Sequence, residues 1–194
     1  MIYLVRHGQT TFNREGRLQG QVDSPLTELG QVQARRAGAT LARLVGDAST
    51  WNLISSPLGR AQATAEAIRQ ALGLPRVELD ERLIELSWGD WDGRLRTDLQ
   101  ADHPDAFGDS GWAFRAPMGE PYDSVQARMA DWLDSLDAEP DRRIIAVGHG
   151  VAGRVLRGVY AGLSRETAVA QPVPQDAFYA LRAGTITRID CDPV

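Results

Sequence analysis

Lysine is absent from all 194 residues; every one of the 21 basic side chains is arginine. That absence excludes Schiff-base and pyridoxal phosphate enzymes and any phosphate loop of the GxxxxGK[ST] type. It leaves the always-charged, forked guanidinium for recognising phosphate or carboxylate. Cysteine is nearly absent too: with Cys191 alone, neither an internal disulfide nor a multi-thiolate metal site forms. No apolar run approaches the roughly 18 residues that span a bilayer. The N-terminus lacks the basic stretch, long apolar region and small-residue cleavage site of a signal peptide. An excess of positive charge is also missing, and a net charge of −5 speaks against nucleic acid or an anionic membrane as partner. The expectation is a cytoplasmic protein forming one domain over 1–194, in which an anionic substrate needs a local positive pocket.

What is present is an alternation of strand and helix patterns. Ile2–Val5 reads as a short buried strand. Thr27 can cap a helix with Leu29, Ala34, Ala37, Leu41, Leu44 and Val45 on its apolar side, ending at Gly46. Thr50–Ser56 is a second strand candidate. Ser56-Pro57 then suggests an N-cap and first-turn proline before a helix that stops at Gly73 and Pro75. A helical segment from about Asp123 to Leu136, the strand of "RRIIAVGHG", a helix over Val151–Tyr160 and a terminal hairpin about Ala183-Gly184 complete the pattern. Residues 87–120, rich in Gly, Asp and Trp, break it. The fold class expected is α/β, in layers.

Ligands in open α/β sheets sit beyond the carboxyl ends of the strands. Three strand ends carry polar punctuation: Arg6-His7, Ser55-Ser56 and Gly148-His149. A lone histidine is ordinarily a satisfied core or surface residue. Here both lie at strand ends beside glycines, Gly8 for His7 and Gly148 and Gly150 for His149, which permit close approach of backbone or ligand. Arg60 falls in the first turn of its helix, where free N–H groups already favour anions. Arg6 and Arg60 together suit a phosphoryl group, each contact worth roughly 1.5–3 kcal/mol. Glu85 stands among Leu83, Ile84, Leu86 and Trp88. A carboxyl group buried beside a phosphate dianion holds its proton and can protonate a departing alcohol. These parts suit attack of a neutral imidazole on phosphorus, with no metal and no cofactor.

With those residues in view, the sequence resembles the histidine phosphatase superfamily, in its phosphoglycerate mutase-like branch. "LVRHGQT" resembles the opening signature, which implies His7 as the phosphorylated nucleophile and Arg6 as a phosphate ligand. "TTFNREGRLQGQVDSPLTELG" is similar to the next block and points to Asn13, Gln19 and Gly20 in the phosphate pocket. "SSPLGRAQATA" resembles the helix carrying the second phosphate arginine, Arg60. "LIELSWGDWDG" resembles the block carrying the proton donor, Glu85. "AVGHG" resembles the second histidine motif, giving His149 a role in stabilising the phosphoryl group and adding Gly150 to the pocket. The fold implied is a three-layer α/β/α arrangement with a mostly parallel sheet and helices on both faces. The activity implied is hydrolysis of a small phosphorylated metabolite, with 87–120 setting specificity and the choice of monomer or homodimer open.

Four other readings stay in play. A cofactor-dependent phosphoglycerate mutase would, by the same resemblance, be longer and use a lysine on the substrate carboxylate; Arg94, Arg96 and Arg115 offer themselves instead. "GHGVAG" (148–153) fits a dinucleotide motif, but only 41 residues follow it and no strand ending in an acid stands about 20 residues on. A metal hydrolase would recruit His103 as a third histidine, though no paired-ligand spacing exists. A non-catalytic phosphate-ester binder would not need an acid beside the leaving group.

Overall fold

The computed structural model describes residues 1–191. Its sheet holds six strands: β1 (Ile2–Arg6), β2 (Asn52–Ser55), β3 (Glu78–Leu79), β4 (Ile144–Gly148), β5 (Ala177–Arg182) and β6 (Thr185–Asp190), in the spatial order β3-β2-β4-β1-β5-β6. The four strands from β3 to β1 run parallel, whereas β5 is antiparallel to β1 and β6 to β5. The helices are α1 (Thr11–Glu15), α2 (Glu28–Leu44), α3 (Gly59–Leu72), α4 (Arg96–Asp102), α5 (Tyr122–Asp134), α6 (Gly150–Tyr160) and α7 (Arg165–Ala170).

Strand residues point alternately to opposite faces, and this chain uses both. Ile2, Leu4, Ile144, Ala146, Tyr179 and Leu181 join one core with Val125, Met129 and Trp132 of α5 and Val155 and Leu156 of α6. Tyr3, Val5, Ile145, Val147, Phe178 and Ala180 join another with Ala37 and Leu41 of α2 and Ala61, Ala65 and Ile68 of α3. Burial on both faces explains why β1 and β4 read as continuous apolar runs rather than as alternating ones. The three-layer, mostly parallel arrangement is therefore the observed one. Among the described residues no helix is long and apolar enough to cross a membrane.

Several expectations need correction. Ser56 does not cap α3: the helix starts at Gly59 behind Leu58, and Ser56 Oγ accepts the Leu58 N–H in a preceding turn. Residues 48–50 form a 3-10 turn, so β2 is shorter than the apolar run. Leu29 and Leu44 lie at the two ends of α2, and both are exposed although they keep helical spacing.

The register aligns the strand ends that carry function. Arg6 pairs with Gly148, and Ser55 with Val147. The ladder continues past them: His7 N–H donates to the Gly148 carbonyl (3.0 Å) and Ser56 N–H to that of Val147 (2.9 Å). One close approach fixes the loop after β1. A Cβ on Gly8 would lie 2.2 Å from the Gly30 carbonyl oxygen in the first turn of α2. Gly8→Ala should therefore overpack this contact, lowering stability by about 1–3 kcal/mol and displacing His7. Urea unfolding reads the first effect and kcat the second; an unchanged midpoint would show that α2 can withdraw freely.

Candidate active site

Beyond the carboxyl ends of β1, β2 and β4 lies a cavity of about 380 Å3, lined among others by Arg6, His7, Asn13, Gln19, Gly20, Arg60, Glu85 and Gly150. A larger groove of about 720 Å3 runs between α2 and α3, but its lining includes no imidazole. His149 stands just behind the first cavity, its ring centroid 5.2 Å from that of His7. Strand ends, helix starts and loops far apart in sequence thus bring all nine expected residues to one end of the sheet.

His7 is buried, and its Nδ1 lies 2.8 Å from the Gly8 carbonyl oxygen. A carbonyl only accepts, so Nδ1 carries the proton and Nε2 keeps its lone pair. Burial, followed by the charges of Arg6 and Arg60, holds the His7 pKa well below the ordinary histidine value. His149 is held low in the same direction by burial, then by His7, Arg60 and Arg6. Its Nε2 sits 2.7 Å from Ser56 Oγ. Both rings are neutral at physiological pH, the state a nitrogen nucleophile needs.

These shifts set a stability window. Both folded-state values lie below the unfolded one of about 6.5, so neither histidine affects stability above that pH. As pH falls below 6.5 the unfolded chain takes up protons that the fold refuses. The expected result is a progressive loss of stability between pH 6.5 and 5. Unfolding free energies measured at pH 7.5, 6.5 and 5 would reveal it, and a flat profile over that range would be the wrong result.

Arg6 and Arg60 are anchored mainly through backbone carbonyls, with Asp23 as an additional partner of Arg60. Arg6 Nη1 donates to Val173 O (2.5 Å). Arg60 donates through Nη2 to Gly20 O (2.5 Å), and through Nη1 to Val22 O (3.0 Å) and the half-exposed Asp23 (3.1 Å). The Nε atoms of both are buried without a protein partner, donors that a phosphoryl oxygen satisfies. Burial pulls Arg6 down to about 10, so both guanidiniums keep their charge at neutral pH. Thr64 of α3 ties the parts together, accepting the Gly8 N–H (3.1 Å) and donating to the Arg60 carbonyl (2.9 Å).

Asn13 closes a capping box at the start of α1 with Thr10. Its Oδ1 accepts from Thr10 N (3.2 Å) and from Gln175 Nε2 (3.1 Å), and the residue lines the cavity. Gln19 differs: its amide bridges Thr10 Oγ1 and Ser24 Oγ (both 2.9 Å), holding the loop that carries Gly20. Gly20 has φ +52° and packs so tightly that a Cβ would lie 2.0 Å from Asp92 Oδ1. A Cβ on Gly148 or Gly150 would meet no protein atom nearer than 3.6 Å, so packing against the chain demands a bare backbone at Gly8 and not at the two glycines beside His149.

Glu85 lies in an irregular segment, not on a strand. One carboxylate oxygen accepts from Leu86 N (3.0 Å) and Ala152 N (2.8 Å), the other from Val151 N (3.1 Å). It thereby caps the N-terminus of α6 while lining the cavity. The segment has no ladder of its own. Arg128 of α5 holds it, donating to the carbonyls of Arg82 and Ile84 (both 2.7 Å) and pairing with Glu120. This geometry also opposes a dinucleotide at "GHGVAG": the amides that would receive a pyrophosphate already bind Glu85. His103 stacks on Trp91 (centroids 5.7 Å apart), away from the other two histidines.

A family model described as "Histidine phosphatase superfamily (branch 1)" matches residues 2–184. The chain belongs to this family. A protein of Cronobacter sakazakii named "Probable phosphoglycerate mutase GpmB" is 37% identical over 199 residues, covering 97% of this chain and 84% of the relative. A mycobacterial glucosyl-3-phosphoglycerate phosphatase (Rv2419c), solved in complex with VO3, superposes with a TM-score of 0.76 at 31% identity, covering 92% of each chain. Bacillus stearothermophilus YhfR gives a TM-score of 0.78 at 30% identity, covering 97% of this chain and 95% of its own.

Within this member of the histidine phosphatase superfamily the residues that the sequence left unassigned also find places. Arg94 pairs with Asp102 (2.7 Å) and Arg115 with Asp109 and the carbonyls of Asp105 and Ala106, all at the surface. Of the three arginines offered as carboxylate readers, Arg96 lines the cavity, with Trp88 and Trp112. Arg154 and Gln175 line it too and carried no motif of their own.

Proposed function

We propose that the protein is a metal-independent phosphatase that hydrolyses a small phosphomonoester through a phosphohistidine on His7. One observation carries this reading: a buried neutral imidazole, its Nδ1 bonded to the Gly8 carbonyl, shares a cavity with two guanidiniums and a carboxyl group. His7 Nε2 attacks phosphorus and the ester P–O bond breaks. Glu85 acts as the general acid that gives a proton to the departing oxygen. Arg6, Arg60 and the Asn13 amide hold the equatorial oxygens, where negative charge gathers, and the neutral His149 ring stands behind them. Water then attacks the phosphohistidine, its proton passing to Glu85 while the P–N pair returns to Nε2 and phosphate leaves.

Hydrolysis is favoured by the likeness to the mycobacterial phosphatase and by the missing lysine. A mutase is the second reading, favoured by the names of the curated relatives. Incubation with 3-phosphoglycerate, with and without 2,3-bisphosphoglycerate, tests the choice. Release of inorganic phosphate without accumulation of 2-phosphoglycerate is the expected result. Bisphosphate-dependent 2-phosphoglycerate formation without phosphate release would replace the phosphatase by the mutase.

A further inference from the structure

We propose that Ser56 is a positioning residue for phosphoryl transfer: its hydroxyl donates to His149 Nε2 and so fixes the ring proton on Nδ1, where a phosphoryl oxygen receives it. This rests on the phosphoryl-transfer reading above and adds to it a residue that the chemistry has left without a task. Ser56 marks a strand end in the sequence, yet it does not cap α3.

Ser56 and His149 follow the ends of β2 and β4, two strands that run side by side. Ser56 is wholly buried and His149 is nearly so. The serine is held twice: its N–H donates to the Val147 carbonyl (2.9 Å), and its Oγ accepts from Leu58 N–H (3.3 Å). The histidine is held at the start of α6, where its carbonyl accepts from Gly153 N–H (3.3 Å). Between these two fixed backbones, Oγ and Nε2 meet at 2.7 Å.

The direction of that bond follows from the hydrogens available. A hydroxyl has one hydrogen and two lone pairs, and Leu58 N–H already occupies one lone pair. If Nε2–H donated to Oγ, the hydroxyl hydrogen would have no acceptor among the described residues. A buried donor left idle is costly. Donation from Ser56 to Nε2 leaves nothing idle on the serine and puts the ring proton on Nδ1.

Nδ1 is the other half of the argument, because it is buried and has no protein partner. With Nε2 taken by Ser56, any hydrogen bond from His149 to the phosphoryl group runs through Nδ1. A bare lone pair there would repel phosphoryl oxygens, whereas an N–H attracts them and strengthens as their charge grows. Burial and the neighbouring positive charges keep the ring neutral, so it has one proton to place. Its placement decides whether the ring helps the transfer or opposes it.

Ring-nitrogen NMR of the 15N-labelled wild type at neutral pH reads the tautomer, the His149 signals being those lost in His149→Ala. The expected result is a protonated Nδ1 and a bare Nε2, with the Nδ1 proton shifting when inorganic phosphate is added. A proton on Nε2, protons on both nitrogens, or an Nδ1 that ignores bound phosphate would overturn the proposal. A double-mutant cycle gives the second readout. Ser56→Ala should lower kcat for p-nitrophenyl phosphate about tenfold or more with little change in KM, yet alter the kcat of His149→Ala by less than about threefold. Equal losses in both backgrounds would make Ser56 a packing residue and overturn the proposal. Wild-type turnover without a His7 adduct would instead overturn the phosphatase reading, whereas an adduct together with a proton on Nε2 removes this proposal alone.

Discussion

Replacing His7 with alanine is expected to lower kcat by about 10^4-fold or more for every phosphomonoester. The substitution deletes the Nε2 lone pair that the proposed mechanism uses on phosphorus and forces water to attack directly. Arg6, Arg60 and the Asn13 amide survive it, so phosphate binding and KM should change far less than kcat. Steady-state kinetics on protein shown to be folded by its circular dichroism reads both quantities. Retention of turnover within tenfold of the wild type would mean that another group carries the phosphoryl transfer.

Glu85→Gln should produce the next largest effect, and one that depends on the leaving group. An alkyl phosphate departs as a strongly basic alkoxide and needs a proton as the bond breaks. p-Nitrophenolate is far more acidic and needs almost none. The expected loss is about 10^2- to 10^4-fold for alkyl esters and much less for p-nitrophenyl phosphate. Structure sharpens the test, because the carboxylate oxygens also accept backbone N–H bonds from Leu86, Val151 and Ala152. Glutamine offers one carbonyl oxygen to those donors, so the variant should also be less stable by about 1–3 kcal/mol. A purely structural defect slows both esters equally, and equal slowing would remove Glu85 as the proton donor.

How far the molecule was legible in its sequence follows from which interactions are local. β1 and β4 are buried on both faces, so their apolar runs stand out and their ends mark the site. The hairpin of β5 and β6 is equally plain, its turn at Ala183-Gly184 having positive φ at both residues. α1 was missed because a helix of so few residues shows no periodicity; a local capping box and its contacts with Gln175 and Ser24 hold it. Leu29 and Leu44 keep helical spacing yet stay exposed, while their neighbours Gly30, Leu41 and Val45 take the buried positions at the two ends of α2.

The site divides along the same line. His7, Arg60 and His149 sit at strand ends or in the turn beyond, where chain direction alone predicts convergence. Glu85 was visible as an acid among apolar residues, but its role in capping α6 was not, since the amides it binds lie 66 and 67 positions away. Arg94, Arg96 and Arg115 look alike as letters. Partners elsewhere in the segment 87–120 distinguish them: Asp102 and Asp109 hold two at the surface, and the Trp112 ring holds the third over the cavity. Arg154 and Gln175 reach the cavity from α6 and from the loop before β5, and no spacing rule announces such arrivals.

The most direct measurement is rapid acid-free quenching of the wild-type enzyme during turnover of a phosphomonoester, followed by peptide mass spectrometry. The account predicts a phosphoryl group on the peptide containing His7, stable in alkali and lost in acid, at near-stoichiometric burst amplitude whenever dephosphorylation limits the rate. Phosphate found on any other residue, or single-turnover hydrolysis complete without an adduct at His7, would contradict it.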